Sequence, residues 1–137
     1  MPDSKLILVI DGIDDDYNYF RQRLQICSPD FVIIRAATGH VALDLCERQS
    51  FDCIILDIDL PDMSGFEVLT TLVPRVWEPD NAVVVITGVA NRYVCEAALK
   101  NGAQAALYKP MTSGEMLYGA ILNAMSVVRK AQKRSLA

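Results

Sequence analysis

Several features are missing from this chain, and each absence excludes something. No apolar stretch approaches the ~20 residues that a helix needs to cross a bilayer. The N-terminus also lacks a charged-then-apolar leader, so the expectation is a cytoplasmic protein with no membrane contact. The four cysteines (Cys27, Cys46, Cys53 and Cys95) form no CxxC pair. All lie in or beside apolar segments and read as buried, reduced thiols. Histidine occurs once, as His40, in the first turn of an expected helix, where it reads as a surface residue. An excess of positive charge is missing too: 13 Lys and Arg stand against 17 Asp and Glu, a net charge of −4. Direct nucleic-acid binding is therefore not expected. There is no internal repeat or low-complexity tract, and 137 residues suit one domain with a real core.

What the chain does have is alternation. Lys5–Ile10 reads as a strand buried on both faces, and residues 14–26 as a helix with Tyr17, Phe20 and Leu24 inward. Phe31–Ala36 is a second strand. Thr38 caps a helix running to about Gln49, with Val41, Ala42, Leu45 and Cys46 on one face. Cys53–Asp57 is a third strand, and residues 64–72 are a short helix stopped by Pro74. Residues 75–81 form a loop in which Trp77 is expected to pack or to contact a partner. Residues 82–87 are a fourth strand, residues 91–101 a helix ended by Gly102, and Ala105–Tyr108 a fifth strand. Residues 112–129 are a long final helix, and 130–137 a frayed basic tail or the start of a linker. Five β-α units with continuous apolar strands predict an α/β fold of flavodoxin-like type: a doubly wound, five-stranded parallel sheet of order 2-1-3-4-5, with residues 1–129 as its one domain. The final helix is apolar on more than one face (Leu117, Tyr118, Ile121, Leu122, Met125, Val128), which suggests a homodimer or partner surface.

The strand ends carry the chemistry. The first strand leads into Asp11-Gly12, the third ends at Asp57, the fourth at Thr87-Gly88, and the fifth at Lys109-Pro110. In a 2-1-3-4-5 sheet these ends share one edge, outside which ligands bind. A carboxylate can attack phosphorus to give an aspartyl phosphate. Phosphoryl transfer asks for little beyond positioning and charge neutralisation. Mg²⁺ held by one or two carboxylates, the ammonium of Lys109 and the hydroxyl of Thr87 would supply both.

These residues make the chain resemble the response-regulator receiver domain of two-component signalling over about residues 5–128. The resemblance rests on Asp11, on Asp57-x-x-Leu60-Pro61-x-Met63-x-Gly65, on Thr87-Gly88 and on Lys109-Pro110. It implies that Asp57 is the phosphoacceptor and that a histidine kinase or phosphotransfer protein is the donor. Lys109 and Thr87 would meet the phosphoryl group. Mg²⁺ would be held by Asp11, Asp57 and the backbone carbonyl of Asp59. The domain would be a switch rather than a metabolic enzyme, assisting only its own phosphorylation and dephosphorylation. It would act on an output domain or a partner protein.

Two positions depart from the family pattern. The second of its paired acids is Gly12 here, which weakens the expected hold on Mg²⁺. Its switch aromatic, three residues before the lysine, is Ala106 here, with Tyr108 further along the same strand and of the same parity. Asp14, Asp15 and Asp16 are expected to serve the start of the first helix, and the side chain of Asp59 to reach the metal through water. Two other functions compete: a pseudo-receiver kept as an interaction module, and a haloacid-dehalogenase-like phosphatase. For the phosphatase, the residue after Asp59 and the lack of an acidic pair after Lys109 are both unfavourable.

Overall fold

A computed structural model describes residues 4–136. Five strands, β1 (Lys5–Ile10), β2 (Phe31–Ala36), β3 (Cys53–Asp57), β4 (Val83–Thr87) and β5 (Ala105–Tyr108), form one sheet of order β2-β1-β3-β4-β5. Every neighbouring pair is parallel. Strands β1, β3 and β4 are aliphatic at nearly every position because both faces are covered, and burial on both sides is the usual condition of a parallel sheet. The helices are α1 (Asp14–Cys27), α2 (Gly39–Arg48), α3 (Gly65–Leu72), α4 (Arg92–Lys100) and α5 (Gly114–Leu136).

The two sheet faces make two cores. On one side Ile7, Val9, Ile55, Val84 and Ile86 meet Phe20 and Leu24 of α1 and Leu117, Ile121 and Met125 of α5. On the other, Leu8, Ile10, Ile54, Leu56 and Val85 meet Ala42 of α2, Val68 and Leu69 of α3 and Ala98 of α4. Thr38 caps α2 as expected, and Ser64 and Asn91 cap α3 and α4: the three side chains accept from the backbone N–H of Val41, Phe66 and Tyr93. Gly102 follows α4 at φ +106, and an added Cβ there would press 2.6 Å from Val73 Cγ1.

Four expectations change. Helix α5 does not fray after Arg129 but runs to Leu136, with Gln132 Nε2 donating to the Asp80 carbonyl at 3.3 Å. Arg, Lys, Ala and Gln all favour the helix, and Lys133 and Arg134 complement its C-terminal dipole. Much of the apolar surface on α5 is core: Leu117, Ile121, Met125 and Val128 are buried, and the Tyr118 ring packs 5.7 Å from that of Phe31. Leu122 stays exposed. Val41 is 48% exposed, because the inward face of α2 is set by Ala42 with Leu45 and Cys46, and Val41 lies about 100° off it. Trp77 is 78% exposed, and the residues facing Gly102 are Val73, at the end of α3, and Val76 of the loop. Among the described residues no helix is long and apolar enough to cross a membrane.

Gly65 is fixed by backbone contact, since a Cβ there would lie 2.5 Å from Ile58 Cα and 2.7 Å from the Asp57 carbonyl oxygen. Gly65→Ala is expected to destabilise the fold by about 2 kcal/mol in urea denaturation. Gly88→Ala, with nothing within 4 Å of the new Cβ, should stay within about 0.5 kcal/mol of wild type.

Candidate functional site

Parallel strands deliver their C-terminal ends to one edge, and the four expected groups meet there. Asp11 follows β1, with its backbone N–H bonded to the Ala36 carbonyl of β2. Asp57 closes β3 opposite Ile86, and Thr87 closes β4 opposite Tyr108. Lys109 follows β5. Asp11 and Thr87 are fully buried and Asp57 is 1% exposed, so each carboxylate needs partners.

Asp57 Oδ1 accepts from the Asp59 N–H at 2.9 Å, and Oδ2 from Lys109 Nζ at 2.7 Å. Asp11 Oδ1 accepts from the Ile13 N–H at 2.9 Å. Asp11 Oδ2 lies 2.9 Å from Lys109 Nζ but receives no hydrogen bond. The two form an ion pair. Thr87 Oγ1 accepts from the Val89 N–H at 3.1 Å.

A third carboxylate completes the set, and the sequence reading did not place it there. Asp16 Oδ2 accepts from Lys109 Nζ at 2.8 Å. The acids of the first turn of α1 therefore do more than serve the helix start. The N-cap position is Ile13, with no side-chain cap, and Asp14 pairs with Arg35 at 2.8 Å. The signal was present in the spacing: Asp16, Phe20 and Leu24 follow one another at i, i+4, and the last two point into the core. An acid that continues an apolar stripe at the end nearest the reactive sheet edge points into the site.

Electrostatics follow from this geometry. Burial pushes the Asp57 carboxyl above its ordinary value, while hydrogen bonds from Lys109 and the Asp59 N–H pull it down. Burial alone would lower Lys109, but Asp16, Asp57 and Asp11 together hold it above the usual lysine range. On the loop after β3, Asp62 accepts from the Gly39 and His40 N–H groups at 2.8 and 3.0 Å, which hold its carboxyl down to about 2. That loop is thereby tied to the start of α2. His40 is exposed, as expected, with its ring against Asp62.

A family model for the response regulator receiver domain matches residues 7–120. The chain belongs to that family. The cell cycle response regulator CtrA of Brucella ovis is 32% identical over 94 residues, which cover 69% of this chain and 40% of CtrA, so the match spans well under half of that relative. A receiver domain protein of Methanospirillum hungatei shares 27% identity at a TM-score of 0.77, covering 93% of this chain and 98% of its own. A Burkholderia pseudomallei response regulator, solved with a phosphorylated aspartic acid, a calcium ion and citrate, shares 27% identity at a TM-score of 0.75, covering 93% of this chain and 72% of its own. The family is one of signalling domains, and the dehalogenase-like phosphatase gains no support.

Receiver domains generally bind Mg²⁺ at the acidic pocket. The donors here suit a hard cation: two buried carboxylates, one with an oxygen that receives no hydrogen bond. Among the described residues no three acidic, His or Cys side chains form a ready-made metal cluster. The carboxylates of this receiver are gathered instead around the Lys109 nitrogen. Two carboxylates fit an ion that keeps most of its waters. Gly12 adds no donor. A Cβ there would point at Pro61 Cδ, 3.0 Å away, and at the Ala37 carbonyl, 3.1 Å away. Ala106 pairs with Val85 and packs against the α2–α4 core, while Tyr108 is the aromatic abreast of Thr87.

Removing Lys109 would leave three carboxylates without their shared cation. Lys109→Met is expected to lower stability by about 3 kcal/mol at pH 7.5. The sign with pH follows from the raised Asp57 carboxyl. Its protonation favours the fold, so the stability it contributes is present below its unfolded value near 3.8 and is lost as pH rises through the folded value. Without Lys109 that folded value climbs further. The deficit of Lys109→Met should therefore shrink as pH falls from 7.5 toward 4.5, read as the difference in urea midpoints.

Proposed function

We propose that this domain is a phosphorylation-operated switch with Asp57 as its phosphoacceptor. The observation that carries this reading is the buried Asp57 carboxylate, held 2.7 Å from Lys109 Nζ with the Thr87 hydroxyl at the end of the adjacent strand. An Asp57 oxygen attacks phosphorus, forming the new O–P bond as the bond to the donor breaks. With phosphohistidine on a kinase or phosphotransfer protein, the bond broken is P–N, and the leaving imidazole takes up a proton from solvent. Lys109 donates to a phosphoryl oxygen in place of the lost carboxylate charge. The Thr87 hydroxyl, now accepting from Val89, turns to donate to another. Mg²⁺, held by Asp11, Asp57 and the backbone carbonyl of Asp59, would neutralise charge on the transferred group. The phosphorylated aspartic acid and calcium ion of the Burkholderia pseudomallei relative support this reading.

The turn of Thr87 would carry the signal to the β4–α4 loop, to Tyr108 beside it and on to α4 and α5. An output domain or a separate partner, a second copy of the chain included, would read the altered face. The specific observation favouring a pseudo-receiver instead is the engagement of Lys109 by three carboxylates, with no acid at position 12.

Incubation with acetyl phosphate and Mg²⁺ is expected to give one phosphate adduct by intact mass, absent in Asp57→Asn. No adduct and no metal binding would establish the pseudo-receiver. Asp59, exposed beside Asp57, would reach the ion through water, so Asp59→Asn is expected to weaken Mg²⁺ binding severalfold in a calorimetric titration.

A further inference from the structure

We propose that Asp16 is a positioning residue that competes with the phosphoryl group for Lys109, and so biases the domain toward its unmodified state. The inference rests on Asp57 as phosphoacceptor and concerns a residue outside that chemistry. An ammonium has three N–H donors and no more. In the unmodified domain Lys109 Nζ already has three carboxylate oxygens around it: Asp57 at 2.7 Å, Asp16 at 2.8 Å and Asp11 at 2.9 Å. Its bonds to Asp16 and Asp57 are hydrogen bonds, and Asp11 Oδ2 pairs with it at 2.9 Å. Modification of Asp57 takes away a carboxylate that now accepts from Lys109, and the phosphoryl oxygen that replaces it must draw the same ammonium away from the carboxylates that remain.

Asp11 lies deeper, being fully buried, whereas the Asp16 side chain is 37% exposed. Asp16 also lines, with Lys109, Gly88 and Thr112, a cavity of about 340 Å³ between α1 and the loops after β4 and β5. If Lys109 leaves, Asp16 can be rehydrated in place, which makes it the partner that yields. Until it does, its carboxylate acts twice against modification. It keeps the ammonium on the α1 side, and its negative charge stands across a single nitrogen from where the phosphoryl charge arrives.

Asp16 does not stand in for the acid absent at position 12. A side chain at Gly12 would start toward Pro61 and the Ala37 carbonyl, on the α2 side of the site. Asp16 comes from α1 and is spent on the ammonium. The two roles differ in sign. A competitor, once removed, lets a phosphoryl analogue bind more tightly, whereas a replacement metal ligand, once removed, weakens it.

The test uses the full chain with beryllofluoride and Mg²⁺, followed by ¹⁹F NMR titration, on wild type, Asp16→Asn and Asp16→Glu. Near-UV circular dichroism confirms that each variant is folded. Asp16→Asn is expected to bind beryllofluoride about tenfold more tightly, Asp16→Glu to stay near wild type, and Mg²⁺ affinity alone to change by less than about twofold. The ¹⁵Nζ resonance of Lys109 in the unmodified domain should shift in Asp16→Asn and return toward wild type in Asp16→Glu, which reports the contact, and tighter beryllofluoride binding is the effect a merely structural role would not produce. Unchanged or weaker beryllofluoride binding in Asp16→Asn overturns the proposal, as does a parallel loss of Mg²⁺ affinity, which would make Asp16 a metal ligand. If wild type forms no adduct with acetyl phosphate and binds no beryllofluoride, the phosphoacceptor reading fails by itself. Asp16→Asn must then gain binding for the competition to stand, and continued silence overturns it.

Discussion

One ammonium facing three carboxylates is the constraint on which the reactive edge depends. Lys109 reaches from the end of β5 to Asp57 on β3, to Asp11 after β1 and to Asp16 on α1, binding elements that are distant in sequence. Two of these carboxylates are almost wholly shielded from water. Buried charge of one sign is tolerable only with a counter-charge at contact distance. The site remains under-compensated, with three negative charges against one positive. Burial keeps the Asp57 carboxyl high, the surrounding carboxylates keep Lys109 firmly charged, and the surplus leaves the edge disposed toward a further cation. The strain is electrostatic and local, and the rest of the fold is what prevents the carboxylates from moving apart.

Rigidity comes from how the loops are pinned. The turn after Asp57 passes so close to Gly65 that no Cβ fits between them, and Asp62 reaches across to cap the start of α2. Gly39, the first residue of α2, is itself pressed against Met63, where a Cβ would fall 2.4 Å from the thioether sulfur. Asp57 therefore closes its strand at the mouth of a loop pinned at two points. By contrast, a Cβ added at Gly88, just after β4, would meet nothing within 4 Å. A carboxylate pinned in this way beside a hydroxyl at the end of the next strand suits the proposed switch, in which charge arrives at one strand end and its neighbour responds.

Much of this was legible in the sequence because the relevant signals are local. Runs such as Lys5–Ile10 and Cys53–Asp57 state a strand buried on both faces, and the residue at each strand's tip states the chemistry of the edge. Strand order and the two-sided core followed. The misreadings arose where a local rule met a tertiary one. Asp16 obeys the rule for acids at helix starts, and only the continuation of the Phe20–Leu24 stripe reveals that it faces the sheet edge. Residues 130–136 looked like a tail by charge, although their helix propensity was high throughout. Trp77 was expected to pack by its size, yet Gly102 meets Val73. Apolarity on α5 looked surplus because the depth of its contact with α1 and the sheet cannot be read from one helix alone.

Gly12 and Ala106 are best understood together with Asp16. Position 12 removes negative charge from the α2 side of the pocket, and Asp16 adds it on the α1 side, so the total is kept while its location shifts toward Lys109. The consequence is a cation held by the protein's own side chain more than by an open donor set. At the other end of the signal path, the aromatic abreast of Thr87 is Tyr108 at the strand's tip, while Ala106 lies level with Val85 and contributes little volume. Thr87 can turn without displacing a large side chain at position 106, so movement there has less packing to overcome and less to drive. The two changes act at opposite ends of the site: Asp16 favours the arrangement in which Lys109 stays with its carboxylates, and Ala106 leaves the neighbourhood of Thr87 lightly packed, so on the proposed reading the contest for Lys109 is the larger obstacle to modification.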